Sequence, residues 1–272
     1  MKIIYLANLF FLKLKYSLLV LISGFKFKYN NVITNECLAN INKIKENGYC
    51  IIENYLTDKQ CKAIIKDINT YIDTNQGKIY TDQEKSDYRI FGANNLKNED
   101  ILNFFKDIKI LTVVENYMKL KIENAFTMAA KLLFIEKNLG SGGGWHRDSI
   151  NLSLKAMVYL VDTTENNGPL QMLESSNTFK NILEDHILIK KINFKDTRFT
   201  NDEIIKIINM KMNKINTIKA KAGTLIIFDG SYIHRGSPIR EGVRYAITNY
   251  YAPKLRVERE KEAVKSFLIN SS

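Results

Sequence analysis

Gly143–Ser149 reads GGWHRDS, and His234–Tyr245 reads HRGSPIREGVRY. Everything else in the chain is best understood outward from these two stretches. His146 and Asp148 are two positions apart, so on an extended backbone their side chains leave on the same side. His234 follows 88 residues later, and only the fold can bring it to them. It comes after the apolar run Leu225-Ile226-Ile227-Phe228, which reads as a buried strand, and after the turn pair Asp229-Gly230. Two imidazoles and one carboxylate form a facial triad that binds non-haem Fe(II) and leaves positions open for substrate and O₂. The chain has three histidines in all, two of them in these stretches. The third, His186, sits in Glu184-Asp185-His186 and reads as a surface residue. An H-x-D pair is common by chance; joined to a remote His after an apolar strand and an Arg ten residues beyond, it is not. No thiolate belongs to the pattern, which argues against a structural zinc site, although zinc would accept the same three ligands.

Arg244 is that Arg. A guanidinium meets a carboxylate through two parallel hydrogen bonds. Beside an iron site it is placed to hold the far carboxylate of 2-oxoglutarate while the keto-acid end chelates the metal. Lys131, in a run that is otherwise apolar, is expected either on a solvated face or reaching the same anion, and Ser237 is a further hydroxyl donor to it. Trp145 reads as a wall of the substrate pocket or as a core aromatic, and Arg89 as a substrate contact. The expected cofactors are therefore Fe(II), 2-oxoglutarate and O₂. The glycines at 140, 142, 143 and 144 make a lid or a tight turn.

A length of 272 residues suits one large domain with a sizeable core, and 45% hydrophobic with 25% charged residues is ordinary for a globular protein. The net charge of +11 admits nucleic acid, an anionic membrane surface or anionic small molecules, and equally a lysine-rich solvated surface. Cys37, Cys50 and Cys61 are odd in number and lack C-x-x-C spacing, which argues against a disulfide framework and fits a reducing, cytoplasmic setting. Residues 1–32 carry Lys2, Lys13, Lys15, Lys26 and Lys28 and no acidic residue. Their apolar runs, Ile3–Leu12 and Tyr16–Phe25, are too short for a membrane span. Three readings stay open for this extension: a domain edge, an element lying on an anionic membrane surface, or a cleaved signal with Leu18–Ile22 as its apolar part.

Residues 33–272 read as one domain. Thr34–Glu46 is expected to be a helix stopping at Asn47-Gly48, and Tyr49–Leu56 a strand. Thr57-Asp58-Lys59-Gln60 is a capping box opening a helix with Cys61, Ile64, Ile65, Ile68 and Ile72 on one face. Asn98–Met118 is expected as one further helix. Strands are expected at Phe126–Ile135, Leu152–Val161, Leu170–Leu173, Thr224–Phe228 and Arg244–Tyr251. A helical insertion from about 177 to 220, more basic than acidic, carries a second capping box at Thr200-Asn201-Asp202-Glu203. Helices first and strands afterwards predict an α+β protein, with a sandwich or barrel and helices packed outside it.

Four stretches resemble the phytanoyl-CoA dioxygenase family of Fe(II)/2-oxoglutarate oxygenases, from about Ile44 to Pro253. They are ENGYCIIENYL (Glu46–Leu56), GGWHRDS, ENNGPLQMLESS (Glu165–Ser176) and AGTLIIFDGSYIH (Ala222–His234). The resemblance implies a double-stranded β-helix, or jelly-roll, core with N-terminal helices packed outside. By matched position it implies His146, Asp148 and His234 as iron ligands and Arg244 as the 2-oxoglutarate anchor. Two departures stand out. Glu174-Ser175-Ser176-Asn177 replaces the family's G-S-H-like turn. Many members also place the Arg eleven residues after the distal His with a Ser two after it, where this chain has ten residues, Gly236 and then Ser237. Related halogenases replace the carboxylate ligand with Gly or Ala, so Asp148 disfavours halogenation. The expected activity is O₂-dependent hydroxylation of an unactivated C–H bond in a small molecule, with an anionic or lipid-linked one favoured by the basic insertion. The alternatives are a metal- or ligand-binding jelly-roll without catalysis and an oxygenase acting on nucleic acid. For the last, the sequence holds no zinc finger or helix-turn-helix signature, and no specific nucleic-acid partner is expected.

Overall fold

The computed structural model describes residues 7, 10, 11, 13–18, 20, 21, 33–75, 79–190 and 196–269. Most of the 1–32 extension, including part of the Leu18–Ile22 run, lies outside the described residues.

Helix α1, Asn35–Asn47, starts at Thr34, whose hydroxyl accepts from the Cys37 N–H at 3.2 Å. Helix α2, Asp58–Thr74, has the expected capping box of Thr57 and Gln60, and Ile64 and Ile68 on its apolar face are fully buried. The single helix expected over Asn98–Met118 is two, α3 at Glu99–Lys106 and α4 at Ile108–Met118. Asp107 divides them. Its carboxylate accepts from the N–H groups of Lys109 and Ile110 at 2.7 and 3.3 Å, so it acts as an N-cap and takes the extended conformation that an N-cap needs.

The strands are β1 (Tyr49–Ile52), β2 (Tyr80–Thr81), β3 (Asp87–Phe91), β4 (Ile122–Leu133), β5 (Trp145–His146), β6 (Leu154–Tyr159), β7 (Leu170–Leu173), β8 (Arg198–Phe199), β9 (Ile215–Ile218), β10 (Leu225–Asp229), β11 (His234–Gly236) and β12 (Val243–Pro253). They form a seven-stranded sheet, β1-β10-β6-β12-β4-β3-β2, and a five-stranded sheet, β8-β5-β11-β7-β9, in which every pair of neighbours is antiparallel. This is the double-stranded β-helix.

Alternation divides each large-sheet strand between two cores. On β6, Leu154, Ala156 and Val158 pack with the helices α1 to α4, while Met157 and Tyr159 join Met172, Phe228 and Ala246 between the sheets. Lys155 shares that second face. The same parity on β12 sends Tyr245 and Ile247 to the helices and Ala246 to the space between the sheets.

The segment expected as a helical insertion contains α5 (Phe179–Glu184), a π-helical turn (Asp185–Ile189) and α6 (Asn201–Lys211), but it also supplies β8 and β9 to the small sheet. β8 has two residues, too few to show a period, and β9, Ile215-Asn216-Thr217-Ile218, lacks the apolar run that marks β7. The insertion covers the outer face of the small sheet, where Trp145, Leu173 and Ile233 pack against Phe199, Ile204 and Ile207. Arg147 fastens it. This fully buried guanidinium donates to the Ser231 carbonyl at 3.1 Å, to the Ser176 carbonyl at 2.5 Å and to Asp185 Oδ2 at 2.7 Å. Replacing one partner of a buried ion pair leaves the other charge uncompensated. Arg147→Met is expected to destabilise the protein by about 3 kcal/mol or more. The Arg147→Met/Asp185→Asn double variant should cost less than the two single changes together, as a double-mutant cycle in urea will show.

Candidate metal centre

The two histidines meet because their strands pair. β11 lies antiparallel to β5 with His234 directly opposite His146, and the two rings are 4.5 Å apart between centroids. Asp148 is brought in by the turn after β10, since its N–H donates to the Gly230 carbonyl at 2.9 Å. Asp148 Oδ1 then lies 3.6 Å from His146 Nε2, and Oδ2 lies 3.7 Å from His234 Nε2. One ligand atom from each of the three residues falls within 4.8 Å of the others. Gly230 is required here: a Cβ at that position would collide with the Asp148 carboxylate. Asp229 braces the same turn. It is fully buried, accepts from the Ser231 N–H at 2.9 Å and the Tyr117 hydroxyl at 3.0 Å, and burial pushes its carboxyl up.

The protonation states suit a divalent cation. His146 Nδ1 lies 2.9 Å from the Gly144 carbonyl and His234 Nδ1 2.9 Å from that of Tyr232. A carbonyl accepts only, which assigns the proton to each Nδ1 and turns each Nε2 lone pair toward Asp148. Burial, followed by the neighbouring His146, pushes His234 down to about 3, so it is a neutral ligand at ordinary pH. Burial opposes ionisation of Asp148. The Lys155 ammonium, 2.8 Å from Oδ2, is the largest of the charges that outweigh it and hold the carboxyl well below the usual range. Two imidazoles and one carboxylate, with no thiolate, fit Fe(II).

Arg244 is buried on β12 between the sheets, where Nη1 donates to the Gly168 carbonyl. A Cβ on Gly236 would stand 2.9 Å from Nη2, so the bare glycine on β11 makes room for this guanidinium. Arg244 Nε and Ser237 Oγ are both buried without a hydrogen-bond partner among the described residues. Unmet buried donors are costly, and a carboxylate is a group that meets them. The arrangement fits the distal carboxylate of 2-oxoglutarate.

Other expected residues lie elsewhere. Lys131 is opposite Tyr245 on β12, while Arg244 is opposite Leu132. Lys131 is therefore on the helix-facing side, where Nζ donates to Asn69 Oδ1 at 2.8 Å, and it does not reach the cosubstrate position. Trp145 is not a pocket wall. Next to His146 on β5, it points to the opposite face, into the core under the insertion, with the Arg235 guanidinium 4.4 Å above its ring. His186 is buried rather than on the surface. Arg89 does face the space between the sheets. It forks onto Asp87 and lines a cleft of about 320 Å³ with Tyr80, Arg198 and the glycine turn at 140–143. That turn is pinned, because Arg198 Nη1 donates to the Gly142 carbonyl at 2.6 Å.

Residues 44–243 match the phytanoyl-CoA dioxygenase family, and the chain belongs to it. With this centre it is an Fe(II)/2-oxoglutarate-dependent oxygenase. No curated protein matches the sequence. Among solved structures, the epimerase SnoN in complex with Fe³⁺, α-ketoglutarate and nogalamycin RO superposes with a TM-score of 0.60 at 12% identity, covering 80% of this chain and 84% of that one. EctD from S. alaskensis with 2-oxoglutarate and 5-hydroxyectoine gives 0.56 at 15%, covering 84% and 78%. HygX from Streptomyces hygroscopicus with nickel, 2-oxoglutarate and hygromycin B gives 0.55 at 10%, covering 81% and 88%. At these identities the likeness is one of fold.

Gly230→Ala should push Asp148 out of place while leaving the sheets intact. The expected outcome is a loss of about 10–100-fold in Fe(II) affinity, the size seen when a ligand loses its orientation, with an unchanged far-ultraviolet circular dichroism spectrum. Unaltered affinity would show that Asp148 is not a ligand.

Proposed function

We propose that the protein hydroxylates an unactivated C–H bond of a small molecule, with 2-oxoglutarate and O₂ consumed and succinate and CO₂ released. The observation that carries this reading is the complete set: a convergent His146–Asp148–His234 cluster together with a buried Arg244 whose Nε has no partner among the described residues. A jelly-roll that only stores a metal has no need of Arg244. Bound iron would supply the activation of O₂, with the cosubstrate as the source of two electrons. The chain's own residues do the rest. His146, Asp148 and His234 would hold the metal and leave positions open to reactants. Arg244, with Ser237 beside Gly236, fixes the distal carboxylate. Lys155 keeps Asp148 ionised and oriented. The surrounding apolar side chains, Met157, Phe228 and Met172, exclude water from the reacting groups. Arg89 at the cleft is proposed as a contact to the substrate. The structural neighbour SnoN is an epimerase, so identification of the products decides the reaction type.

The purified protein with Fe(II), ascorbate and 2-oxoglutarate should form succinate, faster with its substrate present. His146→Ala should reduce this to background. Arg244→Leu should weaken 2-oxoglutarate binding by about 10–150-fold, the worth of a charge-assisted hydrogen bond. Calorimetry that detects neither iron nor 2-oxoglutarate binding would end the proposal.

A second reading concerns the N-terminal segment. We infer that it lies on an anionic membrane surface, adding a peripheral contact to the enzyme. Residues 13–18 are helical, and Tyr16 and Val20 pack against the main core. Phe10, Phe11, Leu14, Leu18 and Leu21 are each at least 50% exposed, at the spacing of one helix face. The segment's charges are all lysines. No helix among the described residues is long and apolar enough to cross a membrane. An apolar face with basic flanks suits the interface of an anionic bilayer. Flotation should recover the protein with vesicles containing phosphatidylserine and much less with phosphatidylcholine alone. Leu14→Glu/Leu18→Glu should abolish recovery. A folded wild-type protein that stays with the soluble fraction in both cases overturns this reading.

A further inference from the structure

We propose that Lys155 is the docking point for an anionic group, a carboxylate or phosphate, carried by the substrate next to the carbon that is oxidised. This deepens the function proposed above and rests on it. Lys155 projects from β6 into the space between the sheets, with its side chain only 13% exposed. Its ammonium lies 2.8 Å from Asp148 Oδ2 and 4.6 Å over the Tyr250 ring. An ammonium has three N–H donors. Among the described residues, the Asp148 carboxylate is the acceptor found for them.

Orienting Asp148 does not need a cation. A neutral donor holds a carboxylate oxygen equally well, whereas a lysine in contact with a ligand repels the incoming divalent ion and weakens its binding. The lysine therefore carries a cost at the metal centre that some other partner must offset.

Counting charges in the same space identifies that partner. Lys155, Arg89 and Arg244 face Asp87 and Asp148. A divalent metal and the dianion of 2-oxoglutarate cancel each other, so the loaded site keeps one positive charge over. Arg89 is already forked onto Asp87, with Nε 3.0 Å from both oxygens, and Arg244 is committed to the cosubstrate. The surplus falls on Lys155, whose one partner must also serve the metal. A buried charge is retained when it is paired, and the partner still missing is an anion that arrives with the substrate. Met157, on the same face of β6 as Lys155, and the Tyr250 ring beside the ammonium offer apolar contact to the rest of the molecule.

The probes are hexanoate, hexyl phosphate and 1-hexanol, titrated calorimetrically and without O₂ into protein loaded with Fe(II) and 2-oxoglutarate. At least one anion should bind roughly tenfold or more tightly than hexanol, as one charge-assisted hydrogen bond provides. The two anions tell a carboxylate substrate from a phosphate one. Lys155→Met should erase the preference and Lys155→Arg should keep it, each compared in protein saturated with Fe(II) and 2-oxoglutarate. Equal binding of hexanol, no binding of either anion, or an anion preference that survives Lys155→Met overturns the inference. Failure of the wild type to bind Fe(II) or 2-oxoglutarate fails the parent function; indifference to anions with both bound fails this inference alone.

Discussion

The antiparallel pairing of His146 with His234 is the constraint on which the site depends. β5 has two residues and β11 three, so the register rests on very few main-chain bonds of their own. A slip by one residue would turn an imidazole to the far side of the sheet. The register is held from outside the pair. β7 fixes β11 through His234 opposite Met172, β8 fixes β5 through His146 opposite Arg198, and the Asp229 turn sets where β11 begins. The metal centre thus inherits its precision from the small sheet as a whole.

The stretch Trp145-His146-Arg147-Asp148 performs two tasks by alternation. His146 and Asp148 point inward to the metal position. Trp145 and Arg147 point outward, the first into the apolar core with Phe199, Ile204 and Ile207, the second onto Asp185 and two carbonyls. The insertion is consequently part of the site's foundation. It covers the outer face of the stretch whose inner face carries two ligands.

The ligand triad and Arg244 were legible in the sequence because their chemistry demands particular residue types and the strand signals around His234 were strong. Lys131 and Trp145 stayed open between two readings for one reason: parity. A sequence shows that neighbours on a strand face opposite ways, but not which way the first one faces. Pairing settles it, since Arg244 lies opposite Leu132 and so excludes Lys131 from the same face. Lys155 carries a signal of the same kind, a lone charge in Leu154–Tyr159 at the parity of Met157 and Tyr159, and it too gains meaning only once the pairing is known. The strands β2 and β8 gave no period because they have two residues each, β9 has two polar residues at its centre, and the break at Asp107 depended on a side chain capping its own helix.

Two ion pairs flank the strand that carries His146, one fully buried and one only partly, and the difference between them separates architecture from recognition. Arg147 meets Asp185 and the carbonyls of Ser176 and Ser231, and its guanidinium also lies over Phe199 at 5.5 Å. Every one of these partners belongs to the fold, so the pair acts as a staple, and a well-packed apolar substitute of both residues would serve nearly as well. Lys155 meets a carboxylate that must also serve a metal, and Asp148 is the acceptor found for its ammonium among the described residues. No apolar substitute could do that. A buried charge whose partners are all internal reports on stability; one whose partner is shared with a cation site reports on what the site is built to receive.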